Sequence, residues 1–408
     1  MKRLIGLALM IVMVSAALCS CSGNIPGEDL TADIKADENL TYIFINGETT
    51  NPTSYNDYKT AAVNFSADML YKLYKEDKNV TYSPAALHYQ LSLLENAASG
   101  KTQSRIKSVT GDNLALDGLN SSSGYFFSRI EKLSNIEKNR YIDINGDFFL
   151  NSDTPVSQKF LLSNADFYNQ GIFRLSFSDK DFTDKVNSYI SEKSKAGYIS
   201  APDKNSGLML LNSAYMSDSW LDGFKKTSRG KFKGADKTSD AKFLSGTEYY
   251  LESKLAEGFV KDLKNTPAKF AAFMPKDNNI DYLLKKLNSD SFSKLMNSMS
   301  VFKTREVSIP EFTRKSDINF TERKSLRFLK ETGDYAGLSY AQKSSVSDLI
   351  QSFELKITKD GIGSGSAVKS NSTKKEPEKT LNFNRPFIFA VVDNESYIPV
   401  FMGVISNM

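Results

Sequence analysis

Between about Tyr58 and Tyr74, Ala61, Phe65, Met69 and Leu73 recur at steps of four, and Ala62 and Leu70 widen that stripe. The pattern predicts a long amphipathic helix with one buried face. Tyr82-Ser83-Pro84 closes a short extended piece. Ala85–Asn96 follows, with Leu87, Leu91 and Leu94 on one side and Gly100 just beyond, and reads as a buried helix. Alternation sets in over Ile142–Leu150, where Ile142, Ile144, Gly146 and Phe148 share one face of a predicted strand. Val186–Ile190 belongs to a helix whose end Gly197 marks. The apolar runs Leu208–Met216 and Phe270–Met274, the second closed by Pro275-Lys276-Asp277, suit central strands. Helical spacing returns over Tyr282–Met296. The last hundred residues read mostly as strands: Glu306–Phe312, Ser352–Thr358, Phe387–Asp393 and Tyr397–Ser406. Helices early, strands late, no βαβ rhythm and no internal repeat together predict one α+β domain with large, mainly antiparallel sheets.

The amino terminus follows a different pattern. Lys2 and Arg3 precede an almost unbroken apolar run from Leu4 to Leu18. That run is too short for the ~20 residues of a bilayer-spanning helix and has the flanks of a signal peptide. It ends in Leu18-Cys19-Ser20-Cys21, which resembles the processing site of bacterial lipoproteins. The resemblance implies cleavage after Ser20 and a lipid on Cys21, so that residues 1–20 are signal and residues 21–56 a tether. Several acyl chains hold a protein on a membrane where one would not. Ser22 is not the aspartate that retains such lipoproteins at the inner membrane in some bacteria, which points to the outer membrane and leaves open the side facing solvent. Acidic residues from Glu28 to Glu38 and little periodicity make this stretch a spacer, with Leu40–Ile45 as an isolated strand.

Composition narrows the chemistry. The chain has 408 residues and 45.5 kDa, 40% apolar and 25% charged, with a formal charge of +4. This is a globular balance, and it argues against a nucleic-acid partner. His88 is the one histidine, and Cys19 and Cys21 are the two cysteines. Sites needing two histidines, or cysteine with histidine, are excluded, so most zinc centres and every cysteine–histidine protease arrangement fall away. A serine–histidine–carboxylate triad would have to run through His88, which no nucleophile motif accompanies. No metal or cofactor is implied. His88 reads as a satisfied or surface side chain. The basic residues Lys225, Lys226, Arg229, Lys231 and Lys233 read as a solvated loop.

One segment does not fit a packed domain. Gly361–Glu378 reads GIGSGSAVKSNSTKKEPE, with Ile362 and Val368 its only sizeable apolar residues. Small residues fill its first half and Ser, Thr, Lys and Glu its second, which predicts a long exposed loop between strands. Loops of that length inside compact domains are usually functional.

Separated motifs give the chain a family resemblance. They are Asn79-Val80-Thr81-Tyr82-Ser83-Pro84, then Gly100 with Thr102, Asn187 and Tyr189 with Gly197-Tyr198-Ile199, and Leu211–Met216. Trp220 with Phe224, Phe383-Asn384-Arg385-Pro386-Phe387 and Phe401-Met402-Gly403 complete the set. In this order and spacing the chain, over residues 57–408, resembles the serpins, suicide-substrate inhibitors of serine proteases. The resemblance implies three mainly antiparallel sheets, about nine helices and a reactive loop at about 361–380, in a monomer that is not an enzyme. A protease attacks the loop and becomes acylated; the cleaved loop then enters the main sheet as an extra strand and carries the protease to the far pole.

The same resemblance assigns residues. Gly361 matches the hinge glycine that opens the loop. Counting fourteen residues on from it, or twelve back from Phe387, reaches Lys375, so Lys375-Glu376 is the implied reactive bond. Lys374-Lys375 competes one residue earlier. A lysine there implies trypsin-like targets, with papain-like cysteine proteases as further partners. The hinge comprises Lys359, Gly361, Ile362, Gly363, Ser364, Gly365, Ser366 and Ala367. Ile362 stands where a small polar residue is usual, and its volume and the two glycines weigh against easy insertion. A cut loop that inserts poorly would leave a substrate or binding module, and that reading stays open. Ser83, Asn212 and Gln351 match a polar cluster under the sheet opening, with Gln351 replacing a histidine. Lys359 and Glu311 match an ion pair near the hinge with the charges exchanged.

Overall fold

The computed structural model describes residues 26–37, 52–76, 78–136, 139–194, 199, 201–300, 302–363 and 380–408. Eight α-helices lie among them: α1 (Tyr55–Glu76), α2 (Pro84–Ala97), α3 (Gly100–Thr110), α4 (Leu116–Ser134), α5 (Gln158–Phe167), α6 (Phe182–Ser194), α7 (Ile280–Lys286) and α8 (Ser289–Asn297). The α1 stripe and the buried α2 follow the apolar spacing. Pro84 takes the first position of α2, and the Ser83 hydroxyl caps it by accepting from the Ala86 amide. Every residue of α2 except Asn96 is buried, so this helix runs through the core. The helical spacing of residues 282–296 spans two helices. Leu287 is extended, and Asn288 and Ser291 form a capping box that starts α8 afresh.

The strands of the larger sheets are β1 (Glu28–Asp29), β2 (Thr81–Tyr82), β3 (Ile142–Asn151), β4 (Gly171–Leu175), β5 (Leu208–Met216), β6 (Asp218–Ser219), β7 (Lys226–Lys233), β8 (Thr238–Glu252), β9 (Ala256–Asp262), β10 (Ala268–Pro275), β11 (Thr304–Pro310), β12 (Phe312–Asn319), β13 (Val346–Ile357), β14 (Gly361–Ile362), β15 (Thr380–Asn382), β16 (Phe387–Asp393) and β17 (Pro399–Ile405). The main sheet runs β1-β4-β3-β5-β13-β14-β6, with β12 also paired to β13. The other nine strands share the long β8. Its first part joins β7 and β11, with β15 beyond, and its last residues join β9, which leads through β10, β16 and β17 to β2. One strand thus serves two sheets, which gives the three mainly antiparallel sheets expected. A large core lies between them around α2, and α6 buries Phe182, Val186 and Tyr189 against Phe149, Met209 and Leu211 on the other face of the main sheet.

Three expectations need correction. Residues 26–37 are not free spacer: Glu28 and Asp29 pair with Arg174 and Phe173 as the edge strand of the main sheet, and Leu30 and Ile34 pack on the core. The basic stretch from Lys226 is strand β7, the outer neighbour of β8, because its Phe232 is buried while its charged residues face water on a sheet edge. Glu306–Phe312 is two strands in different sheets, divided at Glu311. Leu40–Ile45, Gly197 and Cys21 lie outside the described residues, as does the loop from Ser364 to Lys379, including Ser364, Gly365, Ser366, Ala367, Lys374, Lys375 and Glu376. No helix among the described residues is long and apolar enough to cross a membrane.

Candidate functional site: a parallel seam and its hinge

At the centre of the main sheet β5 and β13 run parallel, whereas their outer neighbours, β3 and β12, run antiparallel to them. Their pairing begins at Leu208 with Val346 and stops at Ser213 with Ser352, although the strands continue to Met216 and Ile357. Parallel pairing is slightly weaker per residue than antiparallel. A strand running against both would convert this seam into a wholly antiparallel array.

The chain leaving β13 already starts such a strand. It turns at Thr358, whose hydroxyl accepts from the Asp360 and Gly361 amides and whose own amide donates to the Gly361 carbonyl at 3.0 Å. It then returns as β14. Ile362 stands opposite Ile357 on one side and Asp218 on the other, and the Gly363 amide donates to the Lys356 carbonyl at 2.8 Å. Both glycines are required here. A Cβ on Gly361 would lie 2.2 Å from the Asp218 carbonyl oxygen, and Gly363 has φ +68°, where a Cβ would meet the Met216 carbonyl oxygen at 2.3 Å. Ile362 is fully buried and belongs to the main core, so its volume is already accommodated.

Residues beneath the turn hold it. The Trp220 indole donates to the Thr358 carbonyl at 2.9 Å, the Trp220 amide to Asp360 and the Phe224 amide to Lys359. Lys261 and Glu248, both buried, pair at 2.6 Å, with the ammonium 4.4 Å from the centre of the Phe224 ring. Asp218, also buried, accepts from the amides of Ser219, Asn265 and Thr266 and from the side chains of Asn265 and Thr266. Those charge-assisted bonds fix β6, the strand on which Ile362 rests. Sequence reasoning missed Asp218; its one signal is an acid two residues before Trp220, between an apolar strand and a buried tryptophan.

Lower in the seam the structure brings Ser83, Asn212 and Gln351 together. The Gln351 side chain accepts from the Ser83 amide at 2.7 Å and donates to the Ser83 carbonyl at 2.9 Å and to Asn212 Oδ1 at 2.6 Å. Asn212 in turn donates to Gln90 Oε1 at 2.7 Å, and Gln90 donates to the carbonyls of Asp147 and Leu211. All four side chains are buried. None titrates near neutral pH, so this lock on the seam does not respond to pH there. Lys359 and Glu311 are not brought together. Glu311 follows Pro310, which lies opposite Phe243, and so comes beside Lys242, with which it pairs at 2.6 Å; Lys359 is exposed on the turn.

His88 is buried away from the seam, edge-on to Tyr58 and Phe65, with its Nε2 lacking a hydrogen-bond partner. Burial pushes it down to about 4 against the pull of Asp112, so it is a core side chain and no general base. On the same helix the buried Glu95 has neither oxygen hydrogen-bonded. Burial, then Asp112, pushes its carboxyl up to about 8, against Lys107 at 3.3 Å. A carboxyl raised on folding loses stability as pH rises from its unfolded value through its folded one. Replacing it with the isosteric neutral amide, Glu95→Gln, should leave Tm nearly unchanged at pH 5 and raise it by several degrees at pH 9; equal shifts at both values in thermal melts would exclude this titration.

Among the described residues no cluster of three or more His, Cys, Asp or Glu side chains could hold a metal. Known proteins resemble this chain in sequence and in fold. Residues 60–408 match the family model described as Serpin (serine protease inhibitor). Serpin A3-3 of Bos taurus is 23% identical over 363 residues, covering 84% of this chain and 88% of its own, and Serpin A3-6 of the same organism is 23% identical over 376 residues, covering 87% and 90%. Among solved structures, the thermophilic serpin tengpin in the native state superposes with a TM-score of 0.79 at 22% identity, covering 94% of this chain and 100% of its own. Maspin gives 0.75 at 21% identity, covering 87% and 100%. At these identities the structures speak for the fold.

Proposed function

This chain belongs to the serpin family, whose members inhibit proteases and are not themselves enzymes, and from that membership we propose that it traps trypsin-like serine proteases after acylation at Lys375-Glu376. The observation that carries the reading is the register of β14. Ile362 already pairs with Ile357 and Asp218, so each residue further along an inserted loop meets one residue earlier in β13 and in β5. Continued in this way, Thr373 comes opposite Val346, the first residue of β13, and Lys375 arrives just past the strand, level with Ser344. Loop length and strand length therefore match.

Side-chain chemistry fits the same register. Residues directly opposite share a face, and the partners of the even-numbered loop residues, Leu355, Phe353, Gln351 and Leu349, are buried. Ser364, Ser366, Val368, Ser370 and Ser372 would follow Ile362 inward, while Lys369 would come opposite Ile350 and Leu211 on the face that α6 covers. No charge has to be buried on the inner side of the seam, and Lys369 has to reach water past α6. The competing reading, a loop cut without capture, draws on Gly363 and Gly365, which lose backbone entropy on entering a strand.

Mixing the purified domain with trypsin should give an SDS-stable complex near the summed masses, and mass spectrometry of the released fragment should show Glu376 as its first residue. Lys375→Ala should abolish most of this complex. A clipped chain with no complex favours cutting without capture, and a fragment starting at Lys375 moves the reactive bond to Lys374-Lys375. Papain-like cysteine proteases are the second target class to test.

We also propose that Cys21 carries a lipid that anchors the domain to an outer membrane, supported by Leu18-Cys19-Ser20-Cys21 at the end of the apolar run. Cys21→Ser should release the protein from membranes or leave an unprocessed precursor. Full attachment of a correctly cleaved variant would show another anchor.

A further inference from the structure

The position of β1 fixes where the chain enters the domain. Glu28 pairs with Arg174 in register and by a 3.0 Å ion pair, and the Leu30 amide donates to the Ile172 carbonyl at 2.9 Å. Gly27 lies so close to β4 that a Cβ there would meet the Arg174 carbonyl oxygen at 2.4 Å. Across the sheet, Arg174 is level with Leu150, Leu150 with Leu208, and Leu208 with Val346. This is the end of the sheet where β5 and β13 begin. The hinge lies at the other end, where Ile362 pairs with Asp218, ten residues beyond Leu208. At about 3.3 Å per residue the two levels are roughly 33 Å apart.

From this geometry we infer that the anchored amino terminus leaves from the pole opposite the reactive loop, so that a lipid on Cys21 seats that pole on the bilayer and turns the loop away from it. The inference rests on the proposed lipidation of Cys21. Cys21 lies five residues before Pro26, so at most about 18 Å of fully extended chain separates them. That is too short to carry the lipid up to the hinge. Were the chain free as far as Tyr55, the tether would have placed no restriction on orientation, so the docking of β1 decides the matter.

A consequence follows for capture. In the register proposed for the inserted loop, Lys375 stops level with Ser344, at this same pole. Four strand spacings, about 19 Å at ~4.8 Å each, would separate it from β1. A globular protease is wider than that, so the captured enzyme would be set down beside the anchoring segment and against the lipid headgroups. The loop would be offered to proteases in solution, and the trapped product stored at the membrane surface.

Energy transfer tests the orientation on the full lipidated protein. Lys204 is exposed beside the start of β5, and Lys225 is exposed near the hinge, its amide bonded to Ser245 next to the Phe224–Lys359 contact. Lys204→Cys and Lys225→Cys are each labelled with a donor fluorophore and reconstituted into phosphatidylethanolamine–phosphatidylglycerol vesicles carrying a headgroup acceptor. Transfer from position 204 should exceed that from position 225 at least twofold. Undocking the segment with Leu30→Asp should bring the two values together. Equal or reversed transfer in protein that floats with the vesicles overturns the orientation alone, as does a difference that survives Leu30→Asp. Protein that fails to float overturns the lipid reading and the orientation with it.

Discussion

Ser366→Arg should turn the inhibitor into a substrate, while Gly365→Arg, one residue earlier, should leave trapping nearly intact. Continuing the register from Ile362 opposite Ile357 brings residue 366 opposite Phe353 on β13 and Ala214 on β5, both buried in the main core. An arginine there would enter an apolar layer without a carboxylate partner. The cost, several kcal/mol even after relaxation, falls on the inserted form and not on the intact one, where the sheet has yet to open. Insertion slows, the acyl-enzyme is hydrolysed first, and the number of inhibitor molecules consumed per protease trapped should rise at least tenfold. Residue 365 would come opposite Glu354 on β13 and Tyr215 on β5, both exposed on the outer face, where a long charged side chain can reach water. Titrating trypsin with each variant and separating complex from clipped inhibitor on SDS gels measures the partition. Equal effects of the two arginines would mean that the loop does not follow the register of β14.

Much of the fold was legible because burial imposes a period. The stripe through Ala61, Phe65, Met69 and Leu73 gave α1, and the apolar run Leu208–Met216 gave the strand now seen with neighbours on both sides and helix α6 across one face. Elements whose stability comes from one edge or from backbone pairing left less trace. β1 is two acidic residues held by a strand distant in sequence, and its Glu28–Arg174 pair follows from that contact. β7 faces water with its lysines and shows one buried aromatic, so it carries no alternation strong enough to separate it from a loop. The α7–α8 break escaped because the apolar spacing runs on through Leu287 while a capping box resets the backbone.

The site divides along similar lines. Ser83, Asn212 and Gln351 were found through motif positions, and their contact depends on the parallel register of Gln351 with Asn212. The partner of Glu311 depends on three strands meeting at Lys242, which no local pattern reveals. Asp218 escaped for another reason: its hydrogen bonds go mainly to Asn265 and Thr266, nearly fifty residues away. Ile362 was read as an obstacle because its size was weighed against an empty slot, whereas the native hinge already buries it beside β6.

Cleavage of the loop should raise the melting temperature by about 20 °C or more. In the intact chain the seam rests on parallel pairing between Leu208–Ser213 and Val346–Ser352, with nothing between the strands below Gly363 among the described residues. Gly363, at φ +68°, departs from strand geometry, and β15, at the far end of the loop, stays paired with β11. While both ends are held, the segment between them cannot lie down along the seam. A cut at Lys375 frees one end. Residues from Ser364 to Thr373 can then add a strand with partners on two sides, at a net gain near 1 kcal/mol per well-formed ladder bond, or on the order of 10 kcal/mol. For a domain of this size each kcal/mol is worth roughly 2 °C. Burial of Val368 and tighter packing of the seam add to the gain. The most direct test is a pair of thermal melts in one buffer, on intact protein and on protein nicked at Lys375 and freed of protease: the nicked form should melt about 20 °C or more above the intact one, and equal melting temperatures would contradict insertion of the loop into the seam.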